Sequence, residues 1–247
     1  MNFGVAEFTE IDSTNEEALR RARSGETGPL WLRADRQSAG RGRRGRAWVG
    51  GDGNLFATLL ISPERPRPEW AQLSFAAAIA VADTAAHYAP RATIAVKWPN
   101  DVLAAPAPLA GAVFNSEFRK LAGILLETAG QGLAIGIGIN LAGHPDGTEF
   151  PATSLPALGM KAPPAREALS VLAGHFGRWY DAWMEQGFAP LRDAWLARAA
   201  HLGLPIRARL PDTEHAGIFE GIDGEGALLL NQGQSVKTIA AGEVFFG

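Results

Sequence analysis

The spacing of apolar residues divides the chain into a first part with strand and helix patterns and a last part with strand patterns alone. Short apolar runs bounded by Gly, Pro or charged residues predict strands at 30–34, 54–61, 93–96, 112–118, 121–127 and 133–139. Residues 70–88 form a long, Ala-rich stretch unbroken by Pro or Gly and predict a buried helix. Apolar residues at helical spacing predict further helices over 166–184 and 188–201. Ser13 and Glu16 have capping-box spacing and predict a further helix start, whereas residues 104–110, rich in Ala and Pro, predict a loop.

After Gly203 the pattern changes to short apolar runs separated by Gly, Asp, Asn and Pro. The runs are residues 206–210, 216–220, 227–230 and 236–239. Closely spaced short strands with turn residues between them are typical of a small all-β barrel. We therefore predict two domains, residues 1–202 and residues 203–247.

Composition excludes several classes of protein. A chain with no cysteine has no disulfide framework and no thiolate metal site, and this fits a reducing compartment. The net charge of −3 argues against a general nucleic-acid binder, which is usually basic over a whole domain. We see neither a signal-peptide pattern nor an apolar run of membrane-spanning length. We therefore expect a soluble, cytoplasmic protein without a membrane partner.

One local exception to the acidic balance is residues 40–48, GRGRRGRAW, which we call the Gly/Arg loop. Arginine donors match carboxylate and phosphate oxygens, and glycine lets backbone N–H groups approach an anion. The loop therefore predicts an anionic ligand, although flexible nucleic-acid contact or simple solvation are alternatives. No Walker phosphate loop is present in the sequence. The Gly-x-Gly-x-x-Gly spacing of residues 40–45 is weak evidence for a dinucleotide-binding site, because arginines fill its variable positions and no amphipathic helix begins there.

Two further segments suggest ligand chemistry. Residues 97–101, KWPND, place a cation, an aromatic ring, a proline turn, an amide and a carboxylate at a strand end. Ligands collect at strand ends in open α/β sheets, and these groups suit phosphate and Mg²⁺, although a surface turn is the alternative. Residues 136–140, GIGIN, alternate glycine with isoleucine, which indicates close approach by a ligand or by another backbone, or else a tightly packed strand.

With these motifs in this order, the chain resembles the biotin protein ligases, which attach biotin to a lysine of carboxylase carrier domains. The matching segments are residues 12–15, 37–48, 97–101, 120–127 and 136–140. The resemblance implies an α+β fold, in which helices flank a central mixed β-sheet of the class II aminoacyl-tRNA synthetase and biotin ligase type. It also implies a small C-terminal SH3-like barrel.

The resemblance implies a ligase reaction in two steps, with ATP and Mg²⁺ as cofactors. Biotin and ATP first give biotinyl-5′-AMP, and the acceptor lysine of a biotin carboxyl carrier domain then displaces AMP. Lys120 and Arg43 are the implied catalytic residues. The implied biotin-binding residues are Ser13, Thr14, Asn15, Gln37, Gly40, Arg41, Gly42, Arg43 and Lys120. The implied ATP-binding residues are Arg46, Trp48, Asn54, Lys97, Asn100, Asp101 and Asn140. Asp101 is also the implied metal ligand, and Arg44 is expected to be solvated.

The family usually joins the Asn-Asp turn to its lysine by a short hairpin, whereas residues 102–119 form a longer excursion here. Leu-Ala-Gly occurs at 109–111 and at 121–123, and only the second is preceded by a lysine, so Lys120 is chosen.

The resemblance also bears on the assembly of the protein, on its partners and on the alternative functions. A homodimer is expected as a family property. The first motif begins at Asp12, so we expect a monofunctional form without a DNA-binding domain or a DNA partner. A lipoate ligase is the alternative of the same fold, and a non-enzymatic nucleic-acid or nucleotide-binding module is the alternative of another class.

Overall fold

A mixed seven-stranded sheet lies at the centre of the protein in the computed structural model, which describes residues 3–106 and 118–246. Its strand order is β1-β2-β3-β7-β6-β5-β4; β1 and β2 are parallel, and every other neighbouring pair is antiparallel. The strands are β1 Gly4–Ile11, β2 Leu30–Gln37, β3 Leu55–Ile61, β4 Thr93–Lys97, β5 Asp101–Ala105, β6 Arg119–Ala129 and β7 Gly132–Ile139. The predicted central mixed sheet is confirmed.

Helices cover both faces of this sheet. They are α1 Thr14–Arg23, α2 Leu73–Tyr88, α3 Ala165–Gln186 and α4 Ala189–Leu196. Successive strand residues point to opposite faces, so Leu60 packs with α1 while Leu59 and Ile61 pack in the core with α2 and α3. The helices and sheet thus form three layers, with α1 alone on one side.

The sequence of each helix accounts for its position. Ser13 caps α1, because its Oγ accepts a hydrogen bond from the backbone N–H of Glu16 at 3.4 Å. Helix α2 is apolar on nearly all sides because it lies between the sheet and α3, and its many alanines allow close packing. Helix α3 ends at Gly187, whose φ of 74° is favourable for glycine alone.

A second, antiparallel sheet of five strands, order β11-β10-β9-β8-β12, forms the C-terminal part. Its strands are β8 Pro205–Arg209, β9 Glu214–Ile222, β10 Leu228–Asn231, β11 Val236–Ile239 and β12 Glu243–Phe246. This sheet is consistent with the SH3-like domain that the sequence predicts. It contacts the first part through Trp98, whose Nε1 donates to the Gly226 carbonyl at 3.0 Å. The boundary at residue 202 stays a prediction.

Three strands are missing from the sequence prediction. Strand β1 is an edge strand with mostly exposed side chains, so it has no apolar alternation to detect. Strand β5 is fully buried but Ala-rich, and the predicted loop over 104–110 is wrong at residues 104 and 105, which lie in β5. Strand β12 is short and begins beside Gly242.

The other predicted elements agree within a few residues, except two. Helix α4 ends at Leu196, where a turn follows, rather than at residue 201. The predicted strand 112–118 lies outside the described residues except for Phe118, which is in no strand. In the part of the chain that the structure describes, no helix is long and apolar enough to cross a membrane.

Candidate active site

A cavity of about 470 Å³ opens on the same face of the central sheet as α1. Its floor is formed by β3, β6 and β7, and its rim by the Gly/Arg loop, the 98–100 turn, residues 145–150 and the start of β12. The cavity brings most of the predicted site residues together. Those that line it are Ser13, Thr14, Asn15, Gln37, Arg41, Gly42, Arg43, Arg46, Trp48, Lys97, Asn100, Asp101, Lys120 and Asn140.

Two predicted site residues do not line the cavity. Asn54 is buried, and its amide is used inside the protein: Oδ1 accepts from the N–H groups of Ala142 and Gly143, and Nδ2 donates to the Gly143 carbonyl at 2.9 Å. It therefore anchors the loop after β7 and does not line the cavity. Gly40 closes the Gly/Arg loop, because its carbonyl accepts from the Trp48 N–H at 2.9 Å.

The Gly/Arg loop is folded back on itself. Arg41 and Ala47 form an antiparallel bridge, and the Gly42 N–H donates to the Arg46 carbonyl at 2.8 Å. A single 3₁₀ turn over Arg43–Gly45 makes the tip, where Arg44 has a φ of 56°. The loop is therefore a small closed hairpin that directs its arginines to different neighbours.

Each arginine of this loop has an identified partner. Arg41 bridges Glu16 at 2.5 Å and Glu127 at 2.7 Å. Arg43 donates to Asn100 Oδ1 at 3.3 Å.

The two arginines nearer Trp48 contact acidic residues on the rim. Arg44 is exposed to solvent, and its guanidinium also lies 3.6 Å from the Glu243 carboxylate. Arg46 also contacts Glu243 and lies 3.5 Å from Glu149.

At one end of the cavity, two lysines share one carboxylate. The Nζ atom of Lys120 lies 2.6 Å from Asp101 Oδ1, and Lys97 Nζ lies 3.3 Å from Oδ2. Strand pairing sets this geometry, because Lys97 and Asp101 are partners across the β4–β5 hairpin and Lys120 is opposite Leu103 on the next strand. The ring of Phe150 lies 4.0 Å from Lys97 Nζ, within the range of a cation–π contact.

The environment shifts the pKa values of two members of this trio, Asp101 and Lys97. Burial by itself raises the pKa of Asp101, but the ammonium groups of Lys120 and Lys97 outweigh it and hold the pKa below its usual value. Burial lowers the pKa of Lys97, although the Asp101 carboxylate acts in the opposite direction. Two ammonium groups against one carboxylate leave a surplus of positive charge in a poorly solvated place, which favours an anionic ligand.

The metal role predicted for Asp101 does not fit this geometry. Both of its oxygens face an ammonium group, so the carboxylate acts as a counter-ion. Within residues 3–106 and 118–246, no group of three or more His, Cys, Asp or Glu side chains could hold a metal ion.

Hydroxyl and amide groups line the opposite end of the cavity. The Gln37 Oε1 accepts from the Thr14 N–H at 2.8 Å and from its hydroxyl at 3.1 Å. The Thr58 hydroxyl lies 2.9 Å from that of Thr14 and 3.0 Å from Asn15 Oδ1. Asn15 Nδ2 donates to Glu127 at 2.7 Å. This network fixes neutral polar groups that can recognise a polar, uncharged ring.

The glycines of β7 make room for two of these side chains. A Cβ on Gly138 would lie 2.4 Å from the Trp48 indole, and one on Gly136 would lie 2.4 Å from Asn15 Oδ1. The predicted close approach is therefore made by side chains of the protein itself. The half-buried Trp48 lies flat on the sheet, with Lys120 Nζ 5.6 Å from its ring centre.

The Asn140 side chain also lines the cavity, beside Lys120. Its Nδ2 donates to the Lys120 carbonyl at 3.4 Å, while its buried Oδ1 has no hydrogen-bond partner among the described residues. A buried amide oxygen without a partner is costly, which suits an acceptor kept for a ligand.

Sequence reasoning missed several residues that shape the site. Thr58 is the only polar residue of the apolar strand β3, and that contrast could have identified it. Glu127 ends a segment that was singled out as a motif, but it received no role. Glu149, Phe150 and Glu243 come from regions without a recognisable local pattern.

This geometry can now be compared with known proteins. Residues 6–143 match the biotin/lipoate A/B protein ligase family, and residues 201–247 match the biotin protein ligase C terminal domain. The chain belongs to the biotin/lipoate A/B protein ligase family.

Two members of this family are similar over nearly the whole chain. The biotin--[acetyl-CoA-carboxylase] ligase of Paracoccus denitrificans is 46% identical to this chain, and the match covers 96% of this chain and 98% of that protein. The enzyme of the same name from Mycobacterium tuberculosis is 34% identical over 241 residues, covering 94% of this chain and 85% of that protein.

A solved family structure has the same fold. The biotin protein ligase from Aquifex aeolicus in complex with biotin and ATP superposes with a TM-score of 0.81 at 26% identity. The match covers 98% of this chain and 97% of that chain.

The contact between Trp48 and β7 in this family member can be tested by Gly138→Ala. The added methyl group has no space beside the indole, so Trp48 must leave its place, at a cost of about 1–3 kcal/mol. We expect a lower melting temperature and a shifted ¹⁹F resonance of Trp48 in protein labelled with 5-fluorotryptophan.

Gly174→Ala is the matched control. A Cβ at this helical position meets nothing within 4 Å, so it should leave the Trp48 resonance in place and not lower the melting temperature. An unshifted Trp48 resonance in Gly138→Ala would show that the indole does not rest on β7.

Proposed function

We propose that the protein is an ATP-dependent biotin protein ligase that forms biotinyl-5′-AMP and transfers biotin to a lysine of the carrier domain of acetyl-CoA carboxylase. The observation that carries the proposal is one cavity with two unlike ends. One end has neutral hydroxyl and amide groups, and the other has Lys97 and Lys120 beside Asp101. The volume of about 470 Å³ is in the usual range for small-molecule sites. The names of the similar proteins support the same activity.

The neutral end would bind the biotin ring. A cyclic urea has two N–H donors and one carbonyl acceptor, so it needs both acceptors and donors from the protein. Thr14, Asn15 and Gln37 supply hydroxyl and amide groups whose positions are already fixed by hydrogen bonds to one another and to Thr58. We assign Ser13 to the same end, where its hydroxyl also caps α1.

The cationic end would bring two anions together. In the first step a carboxylate oxygen of biotin attacks the α-phosphorus of ATP, the P–O bond to the β-phosphate breaks, and pyrophosphate leaves. Lys120 reaches this region from β6 and would stabilise charge on the carboxylate and the α-phosphate. Lys97 and Arg46 would contact the remaining phosphates, and Asn140 and Trp48 the nucleoside.

The second step needs an activated carbonyl protected from water. The ε-amine of the acceptor lysine attacks this carbon, the bond to the phosphate oxygen breaks, and AMP leaves with the shared electron pair while the nitrogen loses a proton. The Gly/Arg loop covers the cavity with Arg43 held at Asn100, a placement suited to keeping the mixed anhydride in place.

Magnesium would enter as MgATP, bound to phosphate oxygens as is usual for this ion. A cytoplasmic location, a homodimer and the lack of a DNA partner stay predictions from the sequence. The lipoate alternative is not favoured, because the C-terminal residues match a biotin protein ligase domain and the similar proteins carry biotin ligase names.

Biotin-dependent exchange of radioactive pyrophosphate into ATP tests the first step, and a mass increase on a purified biotin carrier domain tests the second. We expect both with pure protein and MgATP. No exchange at saturating biotin would contradict the proposal, and exchange with lipoate alone would favour the alternative.

Lys120→Ala should lower the exchange rate by at least about 10²–10³-fold, because removing one preorganised donor from a dry site typically costs this much. Lys161→Ala removes an exposed lysine outside the cavity and is the control, with an unchanged rate. Exchange close to the wild-type rate in Lys120→Ala would mean that a different cation serves the reaction.

Arg43→Gly should release the intermediate faster, because it removes the loop's hydrogen bond to Asn100. Protein preloaded with biotinyl-5′-AMP is passed through a desalting column, and the rate of appearance of free intermediate is measured by chromatography. We expect an increase of at least about tenfold, equivalent to about 1.4 kcal/mol. Arg36→Ala, an exposed arginine paired with Asp52, is the control. Equal release rates in Arg43→Gly and the wild-type protein would show that Arg43 does not hold the intermediate in the cavity.

A further inference from the structure

The last strand of the protein meets the tip of the Gly/Arg loop. Glu243, the first residue of β12, contacts Arg46 and lies 3.6 Å from the Arg44 guanidinium. The neighbouring Gly242 carbonyl accepts from Arg43 at 3.4 Å. Arg43, Arg44 and Arg46 of the loop therefore contact two adjacent residues, Gly242 and the first residue of β12.

Strand pairing and side-chain contacts support this contact point. Glu243 is paired with Arg209 across the β8–β12 ladder. The Arg209 side chain is itself held between the Phe245 ring at 4.1 Å and Glu149 at 2.6 Å. A carboxylate on a paired strand has a better-defined position than one on a loop, so Glu243 can act as an anchor for the arginines of the Gly/Arg loop.

Charge explains why an anchor is needed. The loop concentrates like charges that repel one another, and its glycines add conformational freedom. The Glu243 side chain is only 14% exposed, whereas that of Arg46 is 54% exposed, so the carboxylate is the sheltered member of the pair. Charged hydrogen bonds to a sheltered carboxylate are stronger than those in open solvent.

We propose that Glu243 is a positioning residue that holds the Gly/Arg loop over the cavity before ATP binds. Contact with the C-terminal sheet would order the loop in the free protein. The entropic cost of ordering the loop would then no longer reduce the affinity for ATP. The effect on ATP rests on the proposed function, whereas the holding of the loop is a property of the free protein.

Limited trypsin digestion of the free protein tests the holding directly, because trypsin cleaves after arginine only in a locally opened chain. In Glu243→Gln we expect cleavage after Arg43, Arg44 or Arg46 to be at least about fivefold faster, with cleavage sites identified by mass spectrometry. Glu220→Gln removes an exposed carboxylate of the same sheet that contacts Asn231, and it should cleave at the wild-type rate. Melting curves confirm that both variants are folded. Wild-type cleavage rates in folded Glu243→Gln would overturn the proposal.

The pyrophosphate exchange assay then shows whether Glu243 positions the loop for ATP or competes with phosphate for Arg46. If Glu243 prepares the loop, Glu243→Gln raises KM for ATP about three- to tenfold and changes kcat less than twofold. An unchanged or lower KM for ATP would overturn the proposal, the latter because it would show that Glu243 competes with phosphate for Arg46. If the wild-type protein shows no exchange while the trypsin result holds, the proposed function fails and the anchoring of the loop stands.

Discussion

The buried Asp101 carboxylate and the two lysine ammonium groups beside it are the interaction on which the site depends. Three adjacent strands, β4, β5 and β6, each contribute one of these charges, so the pairing of the sheet sets their separation. Burying them is costly unless each finds a partner, and one carboxylate between two ammonium groups satisfies this condition. The surplus positive charge then makes this end of the cavity a place for phosphate and carboxylate groups.

The rest of the cavity follows from close packing around this trio. Glycines in β7 let the side chains of Trp48 and Asn15 lie directly on the sheet. Thr58 and Glu127 fix the amide of Asn15, so the neutral end is organised before any ligand enters. The Gly/Arg loop forms the cover, and its arginines are distributed among α1, β6, the 98–100 turn and β12.

Much of this could be predicted from the sequence. Long apolar segments such as α2 and β7 can be recognised from their nearly unbroken runs of apolar residues. The KWPND segment suggests a ligand site because it combines a cation, an aromatic ring, an amide and a carboxylate at a strand end. The edge strand β1 could not be predicted because it lacks a buried face. The roles of Asn54 and Arg44 could not be predicted either, since they depend on Gly143 and Glu243, which are distant in the chain. The use of Asp101 as a counter-ion depends on two lysines of different strands.

The most direct test of this account is the single-turnover rate of biotinyl-5′-AMP formation by Asp101→Asn, measured at saturating biotin and MgATP well below its melting temperature. If the carboxylate holds both lysines in place, the neutral amide leaves two ammonium groups in mutual repulsion. The rate should then fall by at least about 10²-fold, the usual loss when charge stabilisation in a preorganised site is removed. A folded Asp101→Asn protein that forms the adenylate at close to the wild-type rate would contradict the central role of Asp101 and its two lysines.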